Sequence, residues 1–321
     1  MAQICKRMNK GFILRSYLNG AVEMDYLSSF DYKIKLVALD LDGTVLTDDK
    51  RLTLRTRKAI ERAAANGTEV VFVTGRPFFG IPEVILSIKG VRYVISSNGA
   101  VVTDITCKDL SGKSSASSSG NTAGRATVYS ALLDRQTAVD MVRIALQQGL
   151  QYSVYIDGMG WCEQSCFEKR LERYEGTPIG DYIKQSVQGT ADILRFIQNA
   201  QISPENIWLQ EKDIEARDQL YERIKSTWNV NTVLTSPTDI EIESPDAGKG
   251  KALTWLCGKL GIMKEEILAM GDNFNDLEMF SAAGLAAAMG NAPAGVKAAA
   301  DLIAPGNEED GVAAVLEQIS E

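Results

Sequence analysis

Two aspartates, Asp40 and Asp42, follow a short apolar run and come directly before Gly-Thr in the stretch VALDLDGTVLTD (residues 37–48). Side chains of an extended chain repeat every two residues, so both carboxylates point to one side and Leu41 points to the other. Paired carboxylates could bind a hard cation such as Mg²⁺. The alternative is a solvated acidic turn, because Asp-Gly is common turn chemistry.

Polar residues also follow two other apolar runs: Thr74-Gly75-Arg76 follows one, and Gly271-Asp272 with Asn275 and Asp276 follows the other. In an open parallel sheet the carboxyl ends of the strands lie along one edge, and ligands bind in the crevice there. Three polar clusters in matching positions are therefore expected to converge, which favours a binding site over an isolated turn.

A cation is required if this edge handles phosphate. A carboxylate about 4 Å from a phosphate meets repulsion of roughly 4 kcal/mol per unit charge pair at an effective dielectric near 20. Mg²⁺ shared by Asp40 and Asp272, together with a lysine, would offset that repulsion. These residues predict a magnesium site that acts on an anionic ligand.

Strands and helices alternate in the part of the chain that positions these residues. Strands are expected at 35–39, 69–73 and 92–96 with a helix at 53–67, and later a helix at 249–260, a strand at 267–270, a helix at 275–283 and a strand at 285–289. The strands are continuously apolar, which is typical of a parallel sheet covered by helices. The predicted fold class is α/β, with a Rossmann-like parallel-sheet core formed by residues 32–102 and 244–321.

Residues 103–243 interrupt this pattern and are expected to form an inserted α+β module. Strands are predicted at 152–156, 207–210 and 239–243, with helices near 135–148, 190–199 and 213–226. The Ser/Gly-rich stretch 111–125 is typical of a flexible loop.

Composition excludes several classes of function. The net charge of the 321-residue chain is −8, without a basic stripe, so nucleic acid is not an expected partner. The chain has no histidine, which excludes Ser-His-Asp hydrolysis and His-ligated zinc sites. The five cysteines form no zinc-binding set, and Cys162 and Cys166 would share a helix face only if that stretch is helical. No secretory signal or membrane span is evident, so a cytoplasmic protein with an N-terminal extension (1–31) of unassigned role is expected.

Two glycine-rich motifs do not fit the stretch DAGKGKAL (residues 246–253). A P-loop requires Gly, four residues and then Gly-Lys-Ser/Thr, but Lys249 is followed by Gly250 and Glu243 stands at the first glycine position. The dinucleotide-binding fingerprint also fails, because its third glycine is missing.

Four segments together resemble the motifs of the haloacid dehalogenase superfamily: DLDGTVL, VTGR, GKGKAL and GDNFND. The stretches TGRP, SSNGA and NEEDGVAAVL are most similar to its Cof-like phosphatases, which carry a type IIB cap domain between the second and third motifs. The resemblance covers about residues 33–318 and implies a Mg²⁺-dependent phosphatase with an inserted cap domain.

The resemblance also implies residue roles. Asp40 would be the nucleophile that forms an aspartyl-phosphate, and Asp42 the general acid and base. The magnesium ligands would be Asp40, the backbone carbonyl of Asp42 and Asp272, with Asp276 orienting the site from behind the ligands. The phosphoryl oxygens would be held by Thr74, the Gly75 N–H, Lys249 and Asn275.

Several assignments keep an alternative at this point. Lys251 lies on the same helical turn as Lys249, and the family pattern favours Lys249. Arg76 could contact substrate or serve a structural pairing, and Asn98 could contact substrate or only form a turn. Asp276 could be an N-terminal helix charge.

The expected substrate is a small phosphorylated metabolite, with sugar phosphates favoured over pyridoxal phosphate or flavin mononucleotide. A phosphotransferase or phosphomutase on the same fold is an alternative, as is a binding protein that regulates without catalysis. The sequence leaves the oligomeric state open.

Overall fold

The computed structural model describes residues 33–106 and 125–319. The predictions for residues 1–31 and for most of the Ser/Gly-rich stretch 111–125 lie outside the described residues. The strands are β1 Leu36–Leu39, β2 Glu69–Val73, β3 Tyr93–Ser96, β4 Val101–Asp104, β5 Ala126–Ser130, β6 Gln151–Ile156, β7 Met159–Glu163, β8 Val187–Thr190, β9 Asn206–Gln210, β10 Asn231–Leu234, β11 Asp239–Glu243, β12 Ile267–Gly271, β13 Leu285–Ala288 and β14 Leu302–Ile303.

The helices are α1 Leu54–Ala65, α2 Glu83–Leu86, α3 Arg135–Gln148, α4 Gln164–Arg173, α5 Pro178–Ser186, α6 Ile193–Asn199, α7 Ile214–Thr227, α8 Lys249–Leu260, α9 Leu277–Ala282, α10 Ala294–Lys297 and α11 Gly311–Ile319. Short 3₁₀ turns include Phe78–Gly80, Ser97–Gly99 and Phe274–Asp276. Among the described residues, no helix has the length and apolarity needed to cross a membrane.

The larger sheet has the strand order β14-β13-β12-β1-β2-β3-β4-β5. Its strands from β14 to β3 pair in parallel, and their apolar residues are almost all buried, as the continuous apolar runs predicted. Helix α8 covers one face, where Ala252, Leu253 and Leu256 join Leu36 and Val71 in one apolar cluster. This confirms the predicted α/β class.

The smaller sheet has the order β10-β11-β9-β6-β7-β8, and its apolar face packs with helices into a separate cluster. In β11 the side chains of Ile240 and Ile242 belong to that cluster, so Glu241 and Glu243 lie on the opposite face. We refer to the smaller sheet and its helices as the cap.

The larger sheet extends past the predicted boundary at residue 103. That residue lies inside β4, which pairs antiparallel with β3 and with β5, so Ala126–Ser130 also belongs to the larger sheet. Because β5 is only half-buried, its sequence lacks the continuous apolar run that marked the other strands. Cys162 lies in β7 and Cys166 in α4, so these cysteines do not share a helix face.

Candidate active site

The polar clusters predicted to converge do lie at one edge of the larger sheet. Strands β12, β1 and β2 are parallel neighbours in which Leu39 pairs with both Met270 and Phe72. Asp40 and Thr74 directly follow β1 and β2, and Asp272 directly follows β12. Their side chains therefore begin at the same level of the sheet.

Lys249 is at the centre of the site. Its Nζ lies 2.7 Å from Asp40 Oδ1 and 2.7 Å from Asp276 Oδ1, and its side chain is 1% exposed. Burial alone would lower the pKa of Lys249, but the charges of Asp276 and Asp40 outweigh burial and raise the pKa above its ordinary value. Lys251 instead donates to the carbonyl of Pro245 at 2.6 Å and is exposed, so the geometry selects Lys249 of the two candidates.

Asp276 is fully buried and already bound on both carboxylate oxygens. Its Oδ2 accepts the backbone N–H groups of Asp272 and Asn273 at 3.0 Å each, while Oδ1 accepts from Lys249. A Cβ at Gly271 would lie 2.5 Å from this carboxylate, so glycine is required there. Asp276 thus fixes the loop that carries Asp272 and the position of the lysine.

Asp40, Asp272 and Asp276 form a carboxylate cluster in which one oxygen from each residue lies within 4.8 Å of the other two. Burial raises the pKa of Asp40, with Asp276 and Asp272 adding to that effect, although Lys249 lowers it. Burial and the charge of Asp276 likewise raise the pKa of Asp272 to about 6. When all three carboxylates are ionised, one lysine leaves two negative charges, which a divalent cation would balance. Asp40 and Asp272 offer carboxylate oxygens, the ligands that hard divalent cations prefer.

Asn98, which could have been only a turn residue, reaches both the predicted phosphate-binding residues and the cap. Its Oδ1 accepts from Asn275 Nδ2 at 3.3 Å, and a Cβ at Gly75 would lie 2.8 Å from that same oxygen. Its Nδ2 donates to the carboxylate of Glu241 and, at 2.7 Å, to Glu243 Oε1. Burial raises the pKa of Glu241 to about 7 and that of Glu243 to about 8.

A family model of haloacid dehalogenase-like hydrolases matches residues 37–316. The chain belongs to this family. The resemblance drawn from its motifs is therefore confirmed, and so is the prediction of an enzyme of the phosphatase type, which the family match and relatives named as phosphatases support together.

Two relatives and one solved structure show how far the similarity extends. Phosphatase YwpJ of Bacillus subtilis is 29% identical over 306 residues, spanning 89% of this chain and all of the relative. The 5-amino-6-(5-phospho-D-ribitylamino)uracil phosphatase YcsE of the same organism is 29% identical, spanning 88% of this chain and 94% of the relative. The structure of a haloacid dehalogenase-like hydrolase from B. subtilis superimposes with a TM-score of 0.72 at 27% identity, covering 88% of this chain and 99% of that chain.

Asp42 forms ion pairs with two basic residues in this arrangement. Arg76 binds it through Nε at 2.6 Å and Nη2 at 2.7 Å, and Lys50 Nζ lies 2.9 Å from its Oδ1. Burial would raise the pKa of Asp42, but the hydrogen bonds and charges of Arg76 and Lys50 lower it to about 2. These two cations therefore favour the ionised form of Asp42 for as long as they stay beside it.

Arg76 makes a structural pairing and also contacts the cap. Besides Asp42, it donates through Nη1 to the Gly80 carbonyl at 2.8 Å and lies 5.2 Å from the ring centroid of Tyr182 in α5. Lys50 and Tyr182 could not be identified as site residues from the sequence, because neither belongs to a motif. Thr74 is buried, and its Oγ1 accepts the Arg76 N–H at 3.1 Å.

A cavity of about 630 Å³ lies between the cap and the larger sheet, next to Lys249 and Asn275. Its wall includes Asn98, Lys249 and Asn275 on one side and Asn231 and Glu243 of the cap on the other. The cavity therefore adjoins the predicted phosphate-binding residues and has room for a small organic molecule.

Proposed function

We propose that this protein is a Mg²⁺-dependent phosphatase that hydrolyses small phosphorylated metabolites through an aspartyl-phosphate intermediate. The observation that carries the proposal is the buried contact of Lys249 with Asp40, beside Asp272 and at the carboxyl edge of the sheet. A nucleophilic carboxylate needs a fixed orientation and a positive environment for the incoming phosphate, and the lysine provides both.

In this proposal Asp40 attacks phosphorus and carries the phosphoryl group until water releases it. Lys249 fixes the attacking carboxylate at 2.7 Å, while Thr74, the Gly75 N–H and Asn275 hold the phosphoryl oxygens. The ionised carboxylate of Asp42 would accept the proton of the hydrolytic water. In the preceding step Asp42, protonated after its separation from Arg76 and Lys50, would give that proton to the alcohol oxygen as the bond from phosphorus to this oxygen breaks. The carboxylate formed in this way is the one that later takes the proton of the water.

The magnesium ion would be held by Asp40, Asp272 and the backbone carbonyl of Asp42. Asp276 would not bind the ion but would fix the loop that carries Asp272. When bound, the ion would neutralise charge on the phosphoryl group. The surplus of two negative charges around Lys249 supports this assignment.

Sugar phosphates are the favoured substrates. The relative YcsE is named for a substrate with its phosphate on a ribityl chain, which is a sugar-derived polyol. The amide and carboxylate groups in the cavity wall could bind hydroxyl groups of such a molecule. The free thiols Cys162, Cys166 and Cys257 suit a reducing compartment, so we place the reaction in the cytoplasm.

The test is hydrolysis of p-nitrophenyl phosphate with Mg²⁺ and with EDTA, for the wild type and for Asp40→Asn. Turnover is expected only for the wild type with Mg²⁺, because the amide is nearly isosteric with the carboxylate but is not a nucleophile. Asp218→Asn is the matched control, since this α7 carboxylate is 60% exposed, and it should retain wild-type turnover. Full activity of Asp40→Asn would refute the mechanism.

A further inference from the structure

The turn Ser97–Gly99 lies between the predicted phosphate-binding residues and the cap. Its three residues have positive φ angles of 49°, 50° and 93° in sequence. Two consecutive non-glycine residues in this region are unusual, and such backbone is retained where surrounding contacts fix it. A Cβ at Gly99 would lie 2.1 Å from the Gly248 carbonyl, so the turn also packs directly on the start of α8.

Backbone hydrogen bonds attach this turn to the loop that follows β2. The Ser97 N–H donates to the Arg76 carbonyl at 2.9 Å, and the Asn98 N–H donates to the Thr74 carbonyl at 3.1 Å. The side chain of Asn98 accepts from Asn275, so the turn contacts residues from both sides of the predicted phosphate site. Movement of either loop would therefore displace Asn98.

On its other side the same turn binds three carboxylates, of which Glu205 and Glu243 are buried and Glu241 is half-buried. Ser97 Oγ donates to Glu205, which also accepts the Gly158 N–H at 2.7 Å. Asn98 Nδ2 donates to Glu241 and to Glu243. One neutral amide thus donates to both Glu241 and Glu243, and removing that donor would cost a hydrogen bond at each carboxylate, which is expensive at the buried Glu243.

We propose that the Ser97–Gly99 turn couples phosphate binding to the attachment of the cap to the larger sheet, with Asn98 as the positioning residue. A phosphoryl group bound by Thr74, Gly75 and Asn275 fixes the loops that orient Asn98. The oriented amide then holds Glu241 and Glu243, and hence β11. Coupling of this kind is reciprocal, so a cap that is held through Glu241 and Glu243 also increases the affinity for phosphate. The inference rests on the proposed function, because that function defines the phosphate site.

The experiment measures hydrogen–deuterium exchange across Asp239–Glu243, with and without saturating inorganic phosphate in the presence of Mg²⁺. In the wild type, phosphate is expected to slow exchange in this strand. Asn98→Asp keeps the shape and tolerates positive φ but places a third carboxylate against the pair. It is expected to abolish the phosphate effect and to lower kcat/KM for p-nitrophenyl phosphate by about 100-fold, since the amide that donates to Glu241 and Glu243 is lost and the new carboxylate repels whichever of the two is ionised.

Rescue separates positioning from a general structural effect. In the triple variant Asn98→Asp/Glu241→Gln/Glu243→Gln the donors and acceptors are exchanged, because the glutamine amides now donate to the new carboxylate. The phosphate effect on exchange should return in this variant. Its kcat/KM should rise by about tenfold or more above that of Asn98→Asp, because the free energy of one restored hydrogen bond to a charged group corresponds to that factor. A folded triple variant without recovery would overturn the proposal.

Asn231→Asp is the matched control. Asn231 Nδ2 donates to Glu243 Oε2 at 3.2 Å from β10, so the variant adds charge beside the same carboxylate from within the cap. In Asn231→Asp, phosphate should still slow hydrogen–deuterium exchange across Asp239–Glu243. Loss of that slowing in this variant would overturn the role of Asn98. An unchanged phosphate effect in Asn98→Asp would also overturn the coupling. A phosphate effect in a wild type without turnover would refute the proposed function but support the coupling.

Discussion

Asp272→Asn should stabilise the metal-free protein at neutral pH. The pKa of Asp272 is raised from 3.8 to about 6, with burial and then the charge of Asp276 as the main causes. The folded protein therefore binds the proton more tightly than the unfolded chain, and stability falls as the pH rises from about 4 to about 6. At 1.36 kcal/mol per pKa unit, the penalty above pH 6 is at most about 3 kcal/mol, and the amide removes it.

The assay is urea unfolding in EDTA at several pH values, for the wild type, Asp272→Asn and the exposed-carboxylate control Asp218→Asn. The free energy of unfolding of Asp272→Asn should exceed that of the wild type by up to about 3 kcal/mol near pH 7, and the difference should shrink towards pH 4. Added Mg²⁺ should stabilise the wild type more than the variant, because only the wild type retains this ligand. A variant equal to or less stable than the wild type near pH 7 would refute the electrostatic reasoning.

Two further substitutions test the ion pairs. Lys249→Met should lower the free energy of unfolding in EDTA by about 3–5 kcal/mol, because it leaves the buried carboxylates of Asp40 and Asp276 unpaired. Lys251→Met, on the exposed side of the same helix, should change it by less than about 0.5 kcal/mol, and equal effects in urea unfolding would contradict the central position of Lys249. Arg76→Ala should raise the pKa of Asp42 from about 2 towards its ordinary value, since Arg76 is the main contributor that lowers it. The acid limb of the kcat/KM–pH profile should then move to higher pH, and an unshifted limb would exclude Asp42 as the base.

Most of the larger sheet could be predicted because its strands are continuously apolar. The runs before Asp40, Thr74 and Asp272 gave the strand ends, and the parallel arrangement then placed these residues at one edge. The half-buried β5 could not be assigned in this way, because strands with one exposed face have weak apolar patterns.

The contacts between residues on opposite sides of the site were harder to predict than the identities of the site residues. The alternation Ile-Glu-Ile-Glu in β11 indicates one apolar and one acidic face, but it does not say that the acidic face meets Asn98. The ion pair of Asp42 with Arg76 joins two loops 34 residues apart, and its geometry follows from tertiary structure alone. The contact with Tyr182 depends on how the cap lies on the larger sheet, which sequence patterns do not specify.

The central place of β1 in the larger sheet has a consequence for how the chain folds during synthesis. Leu36–Leu39 pairs on one side with Glu69–Val73, which emerges from the ribosome soon after it, and on the other with Ile267–Gly271, which follows about 230 residues later. Until then the nascent sheet has a fully apolar unpaired edge, the kind of surface that promotes aggregation. The sheet of the cap lies entirely within residues 151–243, so the cap can fold in that interval. The edge of β1 therefore has to wait for β12 until the cap has been synthesised.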